Sequence, residues 1–175
     1  LLSLADRSQL ATRLDEMFKG IPVNITENRA VKHMTARAPA YRQNNIFQKV
    51  CCFADKVRRK KAINTVVNLG IGGSDLGPKM VVAALAGFHD GPDCHFVGNL
   101  CPTDLDDVLR RCEPEKTMFI VTSKTFTTAE TLANAMIAKQ WLEQQIVGDD
   151  KTTAWLKDFK ENHTDTTVSF TVTAL

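Results

Sequence analysis

The sequence lacks the features that identify membrane, secreted and nucleic-acid-binding proteins. No apolar run in its 175 residues is long enough to cross a bilayer, and no signal-peptide pattern is visible. Its 22 lysines and arginines nearly balance 20 aspartates and glutamates, and the formal net charge is only +2. So small an excess does not indicate nucleic acid or a membrane surface as a partner.

Cysteine is present, but without the spacing of a disulfide framework or a metal site. The count is odd, two cysteines are adjacent, and no C-x-x-C pair or ligand-type spacing with histidine occurs. We therefore expect free thiols, a reducing cytoplasmic location and no bound metal. The cysteines are Cys51, Cys52, Cys94, Cys101 and Cys112.

The remaining composition is that of a globular protein, with 43% apolar and 24% charged residues. Residues 1–19 have helical periodicity, which Gly20-Ile21-Pro22 interrupts, and a second helical pattern covers Asn45–Arg59. The sequence thus predicts an amino-terminal helical segment over residues 1–44.

From Thr65 onward, short apolar runs rich in β-branched residues alternate with helical patterns. The predicted strands are 65–70, 94–99, 117–122 and 168–173, and the predicted helices are 78–88, 103–111, 128–146 and 151–161. This alternation predicts an α/β fold with a parallel sheet flanked by helices. Ligands of such folds bind beyond the carboxyl ends of the strands, so the loops after the first three strands are the place to look for chemistry.

The loop after the first strand is rich in glycine and reads Gly70-Ile71-Gly72-Gly73-Ser74-Asp75-Leu76-Gly77-Pro78. Glycines allow a sharp turn and close approach of main-chain amides to a ligand, and Pro78 is predicted to open the next helix. A plain strand-to-helix turn is the alternative. A dinucleotide fingerprint needs a small residue where Asp75 stands, which argues against nucleotide binding.

The loop after the third strand is rich in hydroxyls and reads Ser123-Lys124-Thr125-Phe126-Thr127-Thr128-Ala129-Glu130. Hydroxyls, one cation and a helix start are the components of a phosphate monoester site. The glycine spacing of a Walker loop is missing. Thr127 and Glu130 also fit a capping box, which would stabilise the helix start without any ligand.

These two loops, in this order and at this separation, resemble the glucose-6-phosphate isomerase family. The segments Met17–Gly20, Glu27–His33 and Ala138–Leu142 add to the likeness, which spans about Asp15 to Leu142. The resemblance implies a SIS-type, flavodoxin-like fold. It implies the interconversion of glucose 6-phosphate and fructose 6-phosphate in glycolysis and gluconeogenesis, without metal or organic cofactor. It also implies a homodimer, residues 1–44 belonging to the other domain of the complete enzyme, and residues 45–175 forming an incomplete first SIS domain.

Carried over position by position, the resemblance also assigns site residues. The implied phosphate ligands are Ser123, Lys124, Thr125 and Thr128. Gly73 and Ser74 would line the sugar, and Glu130 would be a supporting carboxylate at the catalytic centre.

Three catalytic groups of the family have no counterpart here, namely a glutamate base, the arginine of a Gly-Gly-Arg word and a histidine from the partner subunit. None of His33, His89, His95 and His163 stands at the histidine's position. We therefore expect an amino-terminal part of the enzyme, inactive by itself. A phosphosugar-binding module without chemistry and a nucleotide-binding α/β domain are the alternatives. Cys101-Pro102 departs from the family's usual Asp-Gly, and 157–167 does not follow the family closely.

Overall fold

A computed structural model describes residues 2–59 and 62–145, which fall into two compact units, Leu1–Ala54 and Asp55–Leu175. The predicted helix 151–161 and the predicted fourth strand 168–173 lie outside the described residues. No helix in the described ranges is both long enough and apolar enough to cross a membrane.

The first unit begins with two helices where the sequence predicted one over residues 1–19. Helices α1 (Leu2–Arg7) and α2 (Leu10–Phe18) are separated at Ser8 and Gln9. The Ser8 hydroxyl donates to the carbonyl of Ala5 at 3.0 Å, and Gln9 adopts a left-handed conformation with φ of 52°. Serine side chains that bond to nearby carbonyls compete with helical hydrogen bonding, and a left-handed residue ends a helix. The prediction of one continuous helix was therefore wrong.

The rest of the first unit consists of short elements and the beginning of a long helix, whose last residues belong to the second unit. An isolated antiparallel bridge joins Asn24 to Arg29, and helix α3 (His33–Arg37) is followed by a 3-10 turn, Pro39–Gln43. Helix α4 (Asn45–Arg59) has the bounds that the sequence predicted. Its end carries Lys56, Arg58 and Arg59, which the helix dipole favours.

The second unit is built on three parallel strands, β1 (Thr65–Leu69), β2 (Asp93–Val97) and β3 (Thr117–Val121). The order across the sheet is β2-β1-β3, with Leu69 opposite both Val97 and Val121. Each strand lies within two residues of its predicted bounds. The predicted α/β fold with a parallel sheet flanked by helices is confirmed.

Three helices follow the strands, namely α5 (Gly73–Ala84), α6 (Pro102–Leu109) and α7 (Ala129–Gln145). The core lies between one face of the sheet and helices α6 and α7. It is formed by Val67, Leu69, Val97, Leu105, Leu109, Phe119, Val121, Ala138 and Leu142. Alternate strand residues point to the same face, which is why this core takes every second position of β1 and β3.

Helix α5 begins five residues earlier than predicted, and Pro78 lies inside it rather than at its first position. Its N-cap is Gly72, whose φ of 60° and ψ of −120° suit only glycine. A proline inside a helix removes one main-chain hydrogen bond, so the carbonyl four residues earlier needs another donor. That carbonyl belongs to Ser74, and it accepts from the side chain of Asn68 at 3.0 Å. The early helix start is possible because this bond replaces the missing one.

Candidate functional site

The two predicted site loops leave the same edge of the sheet from neighbouring strands. β1 and β3 run parallel, and Leu69 pairs with Val121 at their carboxyl ends. β1 lies in the centre, and the chain crosses first to β2 and later to β3, so the strand order reverses between β1 and β3. Such a reversal opens a crevice for ligands beyond the carboxyl ends of the strands.

Gly70 brings the two loops into close contact. A Cβ on Gly70 would lie 2.9 Å from both Cβ and the carbonyl oxygen of Ser74, and 3.0 Å from the carbonyl oxygen of Thr122. Ser74 and Thr122 therefore flank Gly70 at a spacing that no side chain fits. Since Thr122 directly precedes Ser123, the start of the β3 loop (residues 123–128) lies next to the β1 turn (residues 70–75).

The β1 turn presents small residues at the beginning of α5. Gly72 and Gly73 are exposed, Ser74 is half-buried, and a Cβ on Gly73 would meet nothing within 4 Å. The open space above Gly73 leaves room for a ligand to approach the first turn of the helix. The N–H groups of Ser74 and Asp75 in that turn already donate to the carbonyls of Ile71 and Gly72, at 3.2 and 3.1 Å. The N–H of Gly73 is therefore the donor that this helix start can offer to a polar ligand.

The β3 loop is organised around the hydroxyl of Ser123, whose residue is only 4% exposed. The N–H of Phe126 donates to this hydroxyl at 3.2 Å, and a hydroxyl–hydroxyl bond of 3.1 Å joins it to Thr128. A second pair, Thr125 and Thr127, is 2.7 Å apart. Each bonded pair of hydroxyls uses one of its two protons internally, so each keeps one O–H to donate to an incoming anion.

The β3 loop ends at the start of α7, with Thr128 as the N-cap. Its carbonyl accepts the first helical bond, from the N–H of Leu132 at 3.0 Å. The predicted capping box of Thr127 and Glu130 is therefore wrong, because Thr127 precedes the N-cap and its hydroxyl bonds to Thr125. The hydroxyl of Thr127 is thus part of a bonded pair within the loop and does not cap the helix.

The remaining predicted site residues are on the surface of the same region. Lys124 and Thr125 are exposed in the β3 loop, and Glu130 is exposed in the first turn of α7. The structure therefore brings Ser123, Lys124, Thr125, Thr128 and Glu130 together on one loop and helix start. Gly73 and Ser74 lie across Gly70 from them, on the β1 turn.

Sequence reasoning missed two residues that support this site, Asn68 and Thr122. The hydroxyl of Thr122 donates to the side-chain oxygen of Asn68 at 2.8 Å, and the Asn68 amide donates to Ser74 as described above. A signal for Asn68 existed, since an asparagine inside an apolar strand predicts a buried polar group with partners. Its partners could not be identified without the strand order.

A cavity of about 620 Å³ in the second unit lies beside the predicted site, between the ends of β1 and β2. Its charged lining is Asp75, Asp104 and Asp107 against Lys79 alone. This acidic balance disfavours a phosphate dianion. The carboxylate of Asp75 also packs against Gly98, in space that a dinucleotide fingerprint keeps clear with a small residue.

Cys101 and Pro102, the departure from the family pattern, form the beginning of α6. Cys101 is its N-cap and Pro102 its first residue. The neighbouring Asn99 carbonyl accepts from the side chain of Asn134 on α7 at 2.9 Å. This departure therefore affects the loop after β2, and the hydroxyls of the β3 loop are not part of it.

The described histidines of the second unit lie away from the crevice. His89 is within 2.9 Å of the carbonyl of Pro92, just before β2 begins, and His95 is the middle residue of β2. Neither is at the carboxyl edge of the sheet.

Groups with shifted pKa values also lie elsewhere. Hydrogen bonding to Lys116 lowers the pKa of Glu113 beside the amino end of β3, and burial raises the pKa values of Cys94 and Cys112. Among the residues that the structure describes, no group of three or more histidines, cysteines or acids could hold a metal ion.

Comparisons with known proteins point to one family. A family model described as phosphoglucose isomerase matches residues 1–168. Among curated relatives, the glucose-6-phosphate isomerase of Ruegeria pomeroyi is 43% identical, with 82% of this chain and 30% of the relative covered. That of Chlorobium phaeobacteroides is 41% identical, with 86% of this chain and 30% of the relative covered.

A solved structure extends the likeness to the fold. The crystal structure of a glucose-6-phosphate isomerase from Chlamydia trachomatis matches with a TM-score of 0.63 at 27% identity. The match covers 83% of this chain and 32% of that one. The chain thus spans about 30% of the length of the first two curated relatives.

Proposed function

The chain belongs to the phosphoglucose isomerase family, and from this premise we propose that it supplies the phosphate-binding half-site of an aldose-ketose isomerase. The reaction is the interconversion of glucose 6-phosphate and fructose 6-phosphate, a step of glycolysis and gluconeogenesis. The complete enzyme is a cytoplasmic homodimer that needs no metal or organic cofactor. Residues 45–175 belong to its first SIS domain. Residues 1–44 belong to its other domain.

One observation carries the proposal, namely the close approach of the β1 turn at Gly70 to Thr122, the residue directly before the β3 loop. It brings a hydroxyl cluster and a helix start to one side of a crevice and an open glycine turn to the other. Charge-assisted hydrogen bonds contribute about 1.5–3 kcal/mol each, so three or four of them dominate the affinity for a small phosphate ester.

The proposed roles come from the family resemblance, and this arrangement supports them. Ser123, Lys124, Thr125 and Thr128 hold the phosphate, because they combine hydroxyl donors with a cation at the start of α7. Gly73 and Ser74 line the sugar, where the turn leaves space. The family resemblance further assigns Glu130 as a supporting carboxylate.

The proton transfers are assigned to other parts of the enzyme. Ring opening and the shift of a proton between C2 and C1 need an acid–base pair and a group that stabilises the developing negative charge. The family resemblance assigns these tasks to a glutamate, an arginine and a partner histidine that have no counterpart in the candidate site. A coupled enzyme assay on these 175 residues alone should therefore show negligible isomerisation. Normal turnover would contradict this assignment.

The names of the relatives support an isomerase rather than a binding module without chemistry. The direct test is calorimetric titration with 6-phosphogluconate, a sugar-acid phosphate. Ser123→Ala and Thr125→Ala should each weaken binding by about 1.5–3 kcal/mol, which is roughly ten- to hundredfold. Thr103→Ala is the matched control, since it removes a threonine hydroxyl from a helix start at the same sheet edge but outside the β3 loop. The assignment would be wrong if both β3-loop variants bound like the wild type, or if NAD or ATP bound in place of the sugar phosphate.

A further inference from the structure

Asn68 is a buried polar residue in the central strand, with a residue exposure of 8%. Its two hydrogen bonds fix the orientation of its amide. The Ser74 carbonyl can only accept, so the nitrogen of Asn68 must face it, at 3.0 Å. The oxygen of Asn68 therefore faces Thr122, whose hydroxyl must be the donor at 2.8 Å.

This arrangement depends on Pro78. A residue with an N–H at position 78 would donate to the carbonyl of Ser74, as in any α-helix. Proline cannot, so the Ser74 carbonyl is left for the side chain of the neighbouring strand. A side chain of β1 thus bonds to the first turn of α5, at the point where Pro78 interrupts the main-chain hydrogen bonds of the helix.

The other end of the connection is at β3. The N–H of Thr122 donates to the carbonyl of Leu69 at 2.8 Å, in addition to the bond from its hydroxyl to Asn68. Thr122 is therefore held to β1 through both its main chain and its side chain. The next residue is Ser123, around which the hydroxyls of the β3 loop are organised.

We propose that Asn68 is a positioning residue for the sugar-phosphate site, acting through the relay Thr122–Asn68–Ser74. The relay sets the distance between the phosphate-binding β3 loop and the sugar-facing β1 turn. A ligand that contacts both loops needs them at one spacing, and a misplacement of about 1 Å is costly at such sites. This inference rests on the proposed function, because that function requires one ligand to touch both loops.

The first test uses Thr122, which can lose its hydroxyl without changing shape. In the full natural chain, Thr122→Val should raise the Kd for 6-phosphogluconate about tenfold, equivalent to about 1.4 kcal/mol. Thr122→Ser keeps the donor and should bind within about twofold of the wild type. Thr117→Val is the matched control, because it removes a buried hydroxyl from the opposite end of β3, where it bonds to the carbonyl of Glu113. It should leave the Kd unchanged.

The second test separates positioning from simple stabilisation. Asn68→Ala should lower the thermal unfolding midpoint and raise the Kd about tenfold or more. Adding Pro78→Ala restores an N–H donor for the Ser74 carbonyl, so the midpoint should recover in part. The Kd should stay raised, because the connection to Thr122 is still missing.

The outcomes distinguish this inference from the proposed function. If Ser123→Ala weakens binding but Thr122→Val binds like the wild type, the relay has no role and only the inference fails. It also fails if the Kd recovers together with the midpoint in the Asn68→Ala/Pro78→Ala chain. If the wild-type chain does not bind 6-phosphogluconate at all, the proposed function fails and the relay has no ligand to position. Should Asn68→Ala not fold, the Thr122 variants decide.

Discussion

Replacing Gly70 by alanine should damage both the stability of the second unit and its candidate site. The added Cβ would lie 2.9 Å from the carbonyl oxygen of Ser74 and 3.0 Å from that of Thr122. Both are main-chain atoms, so neither can turn away as the end of a long side chain could. Such short contacts to main-chain oxygens are repulsive, so the backbone of the β1 turn must shift and move away from the end of β3.

The magnitude follows from the cost of overpacking, which is typically about 1–3 kcal/mol. Because two main-chain atoms on different segments oppose Gly70→Ala, we expect the upper part of this range, about 2–3 kcal/mol. Urea unfolding followed by circular dichroism measures this loss in the free energy of unfolding. The same displacement moves Ser74 away from the β3 loop, so the Kd for 6-phosphogluconate should also rise.

Gly73→Ala provides the contrast. Its Cβ would meet nothing within 4 Å, and position 73 is the first residue of a helix. Replacing glycine by alanine in a compatible conformation stabilises a protein by about 0.4–1 kcal/mol. Gly73→Ala should therefore keep or raise the stability while placing a methyl group where the sugar is proposed to lie, which weakens binding. The steric argument is refuted if Gly70→Ala unfolds at the same urea concentration as the wild type. The proposed placement of the sugar is refuted if Gly73→Ala binds 6-phosphogluconate as tightly as the wild type.

Two further predictions concern described residues outside the β1 turn and the β3 loop. Cys52 is exposed, whereas burial raises the pKa of Cys112, so iodoacetamide at pH 8 should label Cys52 faster than Cys112. Raising the pH to 9.5 should reduce this difference in labelling rate, because the thiolate fraction of Cys112 increases. Equal labelling rates at both pH values would contradict the prediction. Asn134→Ala removes the hydrogen bond to the Asn99 carbonyl and should lower the free energy of unfolding by about 1 kcal/mol. Gln140→Ala, on the exposed side of the same helix, is the control and should change the free energy of unfolding by less than about 0.5 kcal/mol. Urea titrations measure both values.

The parts of the fold that sequence patterns predicted are those decided by local periodicity. Helix α4 has its predicted bounds, and β3 ends within one residue of its prediction. A run of β-branched and apolar residues specifies a buried strand almost without reference to its neighbours. The order β2-β1-β3 could not be obtained in this way, because it depends on which strands pair across long separations in the chain.

Local rules failed at the beginning of α5, where the site is built. Pro78 has the pattern of a first helical residue, yet the helix starts at Gly73, because Asn68 supplies the hydrogen bond that the proline removes. The sequence contains both residues, but nothing in it indicates that they meet around Ser74. Conflicts between local preference and observed structure are expected at functional sites, where a second interaction compensates for the first.

The same conflict appears in the β3 loop, where Thr127 and Glu130 have the spacing of a capping box that does not form. The helix begins one residue later, at Ala129, and the hydroxyl of Thr127 bonds to Thr125 instead. The hydroxyl-rich composition was visible in the sequence. Its division into two bonded pairs, each with one proton to donate, was not, because it depends on the path of the loop around Ser123.

The polarity of the carboxyl edge gives the proposed substrate one orientation. On the β2 side of β1, the cavity is lined by Asp75, Asp104 and Asp107 against Lys79, an excess of acidic residues that disfavours a phosphate dianion. On the β3 side, Ser123 and its paired hydroxyls offer donors at the start of a helix. We therefore expect the phosphate at the β3 loop and the rest of the sugar over the β1 turn towards Ser74. The carboxyl edge of the sheet thus has an acidic side and a hydroxyl-rich side. This difference alone is expected to orient the ligand, without any contribution from the catalytic groups.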